Sequence, residues 1–197
     1  MLDLGGVVID VSMEVIAGHW ARAVGLAEAE VRSALRADTP WDEFERGEIT
    51  PEQFHEHVAG LIGRRLSFED FDRGFNSIYL GLTPGIEPLL SRLGRRLRLV
   101  ALTNTNACHA AVWPERYAGV LAHFERVFMS HEMGVRKPEP AAYERVLAYL
   151  EAPPGRVVFV DDNERNVRAA EALGMKGIVA AGTDPLARAL RQMGLSV

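Results

Sequence analysis

The chain has 197 residues, 48% of them hydrophobic and 25% charged, with a formal net charge of −5. That length supports one good core plus an accessory lobe, and the acidic balance without a basic run argues against nucleic acid or an anionic membrane as the main partner. The single Cys108 excludes an internal disulfide and a zinc knuckle, and with no signal-type segment or apolar run of transmembrane length the expected location is a reducing cytoplasm.

The first stretch, Met1-Leu2-Asp3-Leu4-Gly5-Gly6-Val7-Val8-Ile9-Asp10, predicts a strand end, a tight turn and a short hairpin. Only Met1 and Leu2 precede Asp3, whereas strands usually run about five or six residues. Either this strand is very short or the sequence as given lacks residues upstream. Asp3 is a candidate site residue; a plain turn residue is the alternative.

From Ser12 to about Leu82 the texture turns helical, with Val15, Ala17, Trp20, Ala23 and Val24 at helical spacing. Thr39-Pro40 and Thr50-Pro51-Glu52-Gln53 supply helix starts with Pro at the first position. The reading is about four helices with no strand between them, an inserted helical domain over 12–83 between the two parts, 1–11 and 84–197, of a main domain. His19, His55 and His57 are expected on helix faces or the surface rather than as metal ligands. Trp41 and Phe44 are expected to pack the insert, with lining of its inner face as the alternative.

Thr83-Pro84-Gly85 marks the return. A helix over 86–93 leads to a strand, Leu97 to Leu102, ending in Thr103-Asn104-Thr105-Asn106. Hydroxyl and amide groups at a strand end can hold phosphate oxygens beside free backbone N–H groups, or cap the helix that follows. A third strand, 127–130, precedes Gly134-Val135-Arg136-Lys137-Pro138, which puts Lys137 just ahead of a helix over 141–150. A surface lysine is the default reading there.

Val157-Val158-Phe159-Val160 is a strand apolar enough to be buried on both faces, and it stops at Asp161-Asp162-Asn163. A helix over 167–173, a strand over 177–180 and a last helix over 185–193 complete the chain. Strands alternating with helices make a parallel sheet covered on both faces, and ligands of such sheets sit beyond the carboxyl ends of the strands. Two like charges about 4 Å apart repel by about 4 kcal/mol at an effective dielectric of about 20. A cation turns that cost into binding, and hard carboxylate oxygens suit Mg²⁺. The alternative is that one of the two caps the following helix.

Four segments, Asp3-Leu4-Gly5-Gly6-Val7, Leu102-Thr103-Asn104, Arg136-Lys137-Pro138 and Val160-Asp161-Asp162-Asn163 with Asn166, together resemble the haloacid dehalogenase superfamily, in its phosphatase branch. Thr103-Asn104-Thr105-Asn106 and Trp113-Pro114-Glu115-Arg116-Tyr117 are most similar to bacterial α-D-glucose-1-phosphate phosphatases. The resemblance implies an α/β fold, a Rossmann-like parallel sheet sandwiched by helices, with a small helical cap. It also implies a phosphatase for a small phosphorylated metabolite such as glucose 1-phosphate. Asp3 would be the nucleophile that becomes an aspartyl-phosphate. Mg²⁺ would be held by Asp3, the Gly5 carbonyl and Asp162, with Asp161 and Asn166 in support. Thr103 and Asn104 would bind the phosphoryl group, and Lys137 would neutralise nucleophile and phosphate together.

One position departs from the phosphatase pattern Asp-x-Asp: Gly5 stands where the second acid protonates the leaving oxygen. General acid help is commonly worth about 10²- to 10⁴-fold. A better leaving group such as an anomeric oxygen, Asp10, or a cap residue could make up the loss. A metal-independent 2-haloacid dehalogenase and a non-catalytic regulator that binds a phosphorylated metabolite are the competing readings.

Overall fold

The computed structural model describes residues 1–35 and 38–194. In chain order the elements are β1 (Ile9–Val11), α1 (Met13–Val24), α2 (Glu28–Ala34), α3 (Thr39–Glu45), α4 (Pro51–Ile62), α5 (Phe68–Phe75), β2 (Tyr79–Leu82), α6 (Ile86–Gly94) and β3 (Val100–Thr103). Three one-turn helices follow, α7 (Ala107–Ala110), α8 (Trp113–Arg116) and α9 (Ala118–Leu121). Then come β4 (Arg126–Met129), α10 (Ser130–Met133), α11 (Pro140–Leu150), β5 (Val158–Asp161), α12 (Glu164–Ala172), β6 (Lys176–Val179) and α13 (Thr183–Gln192).

The main sheet is parallel. β3 pairs with β4 and β5 with β6, and the short segment around Leu2 joins the two pairs through parallel bridges to Ala101 and Val160. The reason both faces are covered is written in alternate residues. Leu99, just before β3, and Ala101 within it pack with α6 and α13 through Ile86, Leu89, Leu186 and Leu190. Their neighbours Val100 and Leu102 pack with Tyr143 and Val146 of α11 and with Val167 of α12. β5 divides the same way, Val160 to the first cluster and Phe159 to the second. Side chains on a strand alternate between faces, so a strand apolar at every position needs a layer on each side.

The helical insert has its own core. Trp20, Phe44, Phe54, Phe71 and Phe75 cluster with Ile16, Val31 and Val58, and Phe44 stacks on Phe54 with centroids 4.5 Å apart. Five helices, one more than the sequence suggests, make up the insert among the described residues. Thr50 caps α4 with a reciprocal Gln53 bond, and Pro51 sits in its first turn, as the sequence suggests. Phe44 is core, whereas Trp41 both packs on Phe54 and lines the cavity below.

The N-terminal hairpin differs from expectation. Val7 and Val8 do not start a local hairpin; instead β1 pairs antiparallel with β2, the strand returning from the insert. The two form the neck that carries the insert. A local turn signal does not reveal a partner strand that lies on the far side of five helices. No helix among the described residues is long and apolar enough to cross a membrane.

Candidate active site

The register of the sheet builds the site. Leu2 lies opposite Val160, so the next residues, Asp3 and Asp161, stand side by side where two central strands end. Asp162 follows at once. One oxygen from each of Asp3, Asp161 and Asp162 falls within 4.8 Å of the others. Among the described residues this is the one cluster of its kind.

Lys137 enters from the loop after α10. It is 1% exposed, so the surface reading fails. Its ammonium reaches Asp3 Oδ1 at 2.8 Å and Asp161 Oδ2 at 2.7 Å. Burial opposes the charge on this lysine, but Asp3 and Asp161 outweigh it and hold its pKa above the ordinary value. Burial also pushes the Asp3 carboxyl up to about 7, with Lys137 opposing and Asp161 reinforcing the rise. Three carboxylates around one ammonium leave the cluster short of positive charge.

Asp161 and Asp162 are neighbours with different tasks. Asp161 is 0% exposed, and it accepts bonds from Lys137, from the Asn163 backbone N–H at 2.8 Å and from the Asn166 amide at 3.1 Å to each oxygen. Tyr143 donates to the Asn166 carbonyl at 2.8 Å and fixes the helix that presents it. Neither aspartate caps α12; Asn163 does, accepting from the Arg165 N–H. Asp162 is exposed, and partial desolvation and then Asp161 raise its pKa. Its carboxylate lies over Gly6, where φ is +74° and where an added Cβ would collide with Asp162 Oδ2. A residue with any side chain at position 6 would displace that carboxylate.

Asp3 Oδ1 also accepts from the Leu4 N–H at 2.7 Å, so both donors act on one oxygen and Oδ2 makes no hydrogen bond among the described residues. The Thr103 hydroxyl is likewise free of hydrogen bonds to described residues and lines the cavity beside Asn104 and Gly5. Asn104 differs. Its amide is engaged with the Lys137 backbone, donating to the carbonyl and accepting from the N–H, both at 2.9 Å. It ties the lysine loop to β3, which leaves its own backbone for a ligand. Asn106 caps α7, so the cap reading of this stretch holds for one of its residues and not for Thr103 or Asn104.

Next to Asp3 in the chain, Leu4 and Gly5 line a cavity of about 120 Å³ together with Ile9, Val11 and Ile78 of the main domain and neck. Trp41 and Glu45 of α3 close it from the insert, and Tyr79, His109 and Trp113 form an aromatic wall. Asp10 is absent from this lining. It alternates with Ile9 and Val11 on β1, faces the other way, and accepts from the Thr83 hydroxyl at 2.9 Å. It is thus no substitute for the acid missing at Gly5.

Glu45, Arg136 and His109 carry roles that sequence reasoning did not assign. Arg136 donates to Glu45 Oε2 at 2.7 Å and pairs with Asp42 at 2.7 Å, while Arg46 of the insert donates to Glu139 at 2.8 Å. Two arginines, one from each side, therefore cross the joint. Gly47, at φ +71°, lets the end of α3 approach the His131 carbonyl, which an added Cβ would meet at 2.5 Å. His109 is buried and stacks on Phe75 at 4.1 Å. The adjacency of Arg136 to Lys137 and of Glu45 to Arg46 was visible, but nothing in the spacing says that these pairs meet.

The family profile of haloacid dehalogenase-like hydrolases matches residues 1–174. The chain is 22% identical to D-ribitol-5-phosphate phosphatase of Bacteroides thetaiotaomicron, over 89% of this chain and 88% of that protein. It is 30% identical to flavin mononucleotide hydrolase 1 of Arabidopsis thaliana, over 80% of this chain and 63% of that protein. A solved structure of a haloacid dehalogenase family enzyme from Bacteroides thetaiotaomicron, in complex with magnesium and inorganic phosphate, matches with a TM-score of 0.79. The two are 27% identical, and the match covers 93% of this chain and 94% of that one. On the extent of the family match and these likenesses, the chain belongs to the haloacid dehalogenase-like hydrolases.

Proposed function

We propose that this hydrolase is a Mg²⁺-dependent phosphatase of small phosphorylated metabolites, with Asp3 as its nucleophile. The observation that carries the reading is the charge balance at the strand ends: Asp3, Asp161 and Asp162 cluster there, with one lysine that bridges Asp3 and Asp161. A carbon-attacking dehalogenase has no use for that surplus of carboxylate, whereas a divalent cation and a phosphate do. The relatives named as phosphatases, and the neighbour that holds magnesium with phosphate, support the same choice.

The donor set fits Mg²⁺, since hard oxygens within 4.8 Å of one another and a glycine at position 6 leave Asp162 room to turn toward an ion. Asp3, Asp162 and the Gly5 carbonyl would hold it, with Asp161 and Asn166 behind. Bound there, the ion supplies charge neutralisation for the phosphoryl oxygens.

The chain's own groups then do the following. Lys137 and the Leu4 N–H hold Oδ1 of Asp3 and orient Oδ2 for attack on phosphorus. The phosphorus–oxygen bond to the leaving alcohol breaks as the aspartyl-phosphate forms. Lys137, already buried and charged, offsets the negative charge that gathers on the transferring group without having to move. The Thr103 hydroxyl donates to a phosphoryl oxygen. With Gly5 in place of an acid, the leaving oxygen takes its proton from water, and a second water attacks phosphorus to free Asp3 and phosphate. That route favours a stabilised leaving group, so a sugar phosphate such as glucose 1-phosphate is the substrate class to try first.

Phosphate release from a sugar-phosphate panel tests the proposal. The wild type should turn over with Mg²⁺ and stop with a chelator, and Asp3→Asn should lower the rate by at least about 10³-fold. Equal inertness of wild type and variant would leave only a binding role, and chelator-resistant activity on haloacids would favour the dehalogenase. Faster release from hexose 6-phosphates than from 1-phosphates would remove the leaving-group argument.

A further inference from the structure

Glu45 is the one formally charged residue in the cavity lining, and it has no part in the steps at Asp3. It belongs to the insert, at the end of α3, yet it is 9% exposed and shares its cavity with Gly5, Thr103 and Asn104. A buried carboxylate is costly unless it is paired. Burial raises its pKa, and Arg136 and then Trp41 oppose the rise. Oε1 accepts from the Trp41 indole N–H at 3.0 Å, and Oε2 from Arg136 at 2.7 Å. These two donors occupy one lone-pair direction on each oxygen and keep the group an acceptor rather than a proton donor. Arg136 spends its remaining reach on Asp42, so the arginine serves two acids and does not cancel Glu45 alone.

Resting on the phosphatase reading, we infer that Glu45 selects the leaving group, accepting a hydrogen bond from a neutral hydroxyl and repelling a second anion. Two sides of the cavity agree on that chemistry. Trp41, Tyr79 and Trp113 line it with apolar ring surface suited to the C–H groups of a sugar or polyol, and Glu45 offers an acceptor to its hydroxyls. No arginine or lysine lines the cavity, and His109 is held neutral by burial, with its pKa lowered to about 4. A carboxylate or second phosphate on the leaving group would meet Glu45 with no cation facing it. Discrimination of this kind comes from the repulsive element as much as from the attractive one.

Three phosphate esters separate the possibilities: glycerol 3-phosphate, with neutral hydroxyls; 3-phosphoglycerate, matched in size but carrying a carboxylate; and phenyl phosphate, with neither. Glu45→Gln keeps size and one acceptor while removing the charge. Its kcat/KM should fall about 10-fold on glycerol 3-phosphate and rise about 10-fold on 3-phosphoglycerate, a change of about 100-fold in their ratio. Phenyl phosphate should change by less than about 3-fold. Asp42→Asn weakens the same Arg136 contact across the joint without changing charge inside the cavity, and should leave the ratio within about 3-fold of wild type. An unchanged ratio in Glu45→Gln overturns the selection role, and an equal shift in Asp42→Asn reassigns it to closure of the joint. Wild type active on glucose 1-phosphate but inert on all three esters would overturn this inference alone, whereas inertness on all four would strike the phosphatase reading itself.

Discussion

The strand ends, which form the floor of the site, and the joint with the insert, which forms its roof, both carry charged groups, and they are held by different physics. On the floor, Lys137, Asp3 and Asp161 are sunk in the sheet ends and each buried charge has its partner within 2.8 Å. On the roof, Asp42, Arg46, Arg136 and Glu139 keep part of their surface in solvent and meet across a joint around Glu45, which is itself buried. Buried charges are mutually dependent, since removing one leaves its partner unpaired in a poor medium. Partly solvated pairs are screened and replaceable. The floor should therefore behave as one rigid unit that presents chemistry, and the roof as an adjustable lid that grips and releases.

The largest test of that contrast is on the floor. Lys137→Met keeps volume and deletes the only cation, leaving Asp3 and Asp161 side by side. Unfolding free energy at neutral pH should drop by about 3–5 kcal/mol, measured by urea titration, and phosphate release should be lost. A drop below about 1 kcal/mol would mean that the floor is as forgiving as the roof.

His109, at the neck between the two, gives the intermediate effect. Its ring sits against Phe75, with Nε2 3.3 Å from the Phe75 carbonyl and Nδ1 3.2 Å from the Asn106 amide. Burial lowers its pKa from 6.5 to about 4, so the unfolded chain takes up a proton in acid that the folded chain refuses. Stability contributed by the neutral ring is whole above pH 6.5 and is lost as pH falls toward 4, amounting to about 3 kcal/mol. His109→Gln should lose that much less between pH 7 and pH 4 than the wild type. If both proteins show the same acid loss in thermal or urea unfolding, the ring is not kept neutral by the fold.

The smallest effect belongs to the roof. Arg46→Ala removes the ion pair with Glu139 and should cost no more than about 1 kcal/mol. Its signature is in KM, which should rise a few-fold and become less sensitive to added salt than in the wild type, because a screened contact has been deleted. A loss of several kcal/mol would place this pair with the floor.

Much of this was readable along the chain. The strand of Val157 to Val160 could be recognised because a strand apolar at every position needs cover on both sides, and the abrupt change to Asp161-Asp162 marked the strand end as a site. Boundaries moved by one to three residues; β3 spans Val100–Thr103 where Leu97–Leu102 was expected. Such ends depend on hydrogen bonds to neighbouring strands that local pattern does not contain. Asn104 was expected to bind the phosphoryl group, whereas its side chain clasps the Lys137 backbone, because a side-chain amide takes whichever partner the fold brings within 3 Å. Asp10 was a reasonable candidate acid by proximity in sequence, and the alternation of β1 turned it away from the cavity.

By itself the sequence determined the alternation of strands and helices, the helical insert and the acidic residues at strand ends. Each of these rests on local periodicity or on the chemistry of adjacent side chains. Only the tertiary structure decided that Leu2 lies between Ala101 and Val160, which brings Asp3 beside Asp161, and that Lys137 is buried between them. It alone decided that β1 pairs with β2 and that Glu45 closes the cavity against Arg136. These pairings join residues far apart in the chain, and their energies come from register, burial and shared counter-charge, none of which exists until the chain has folded.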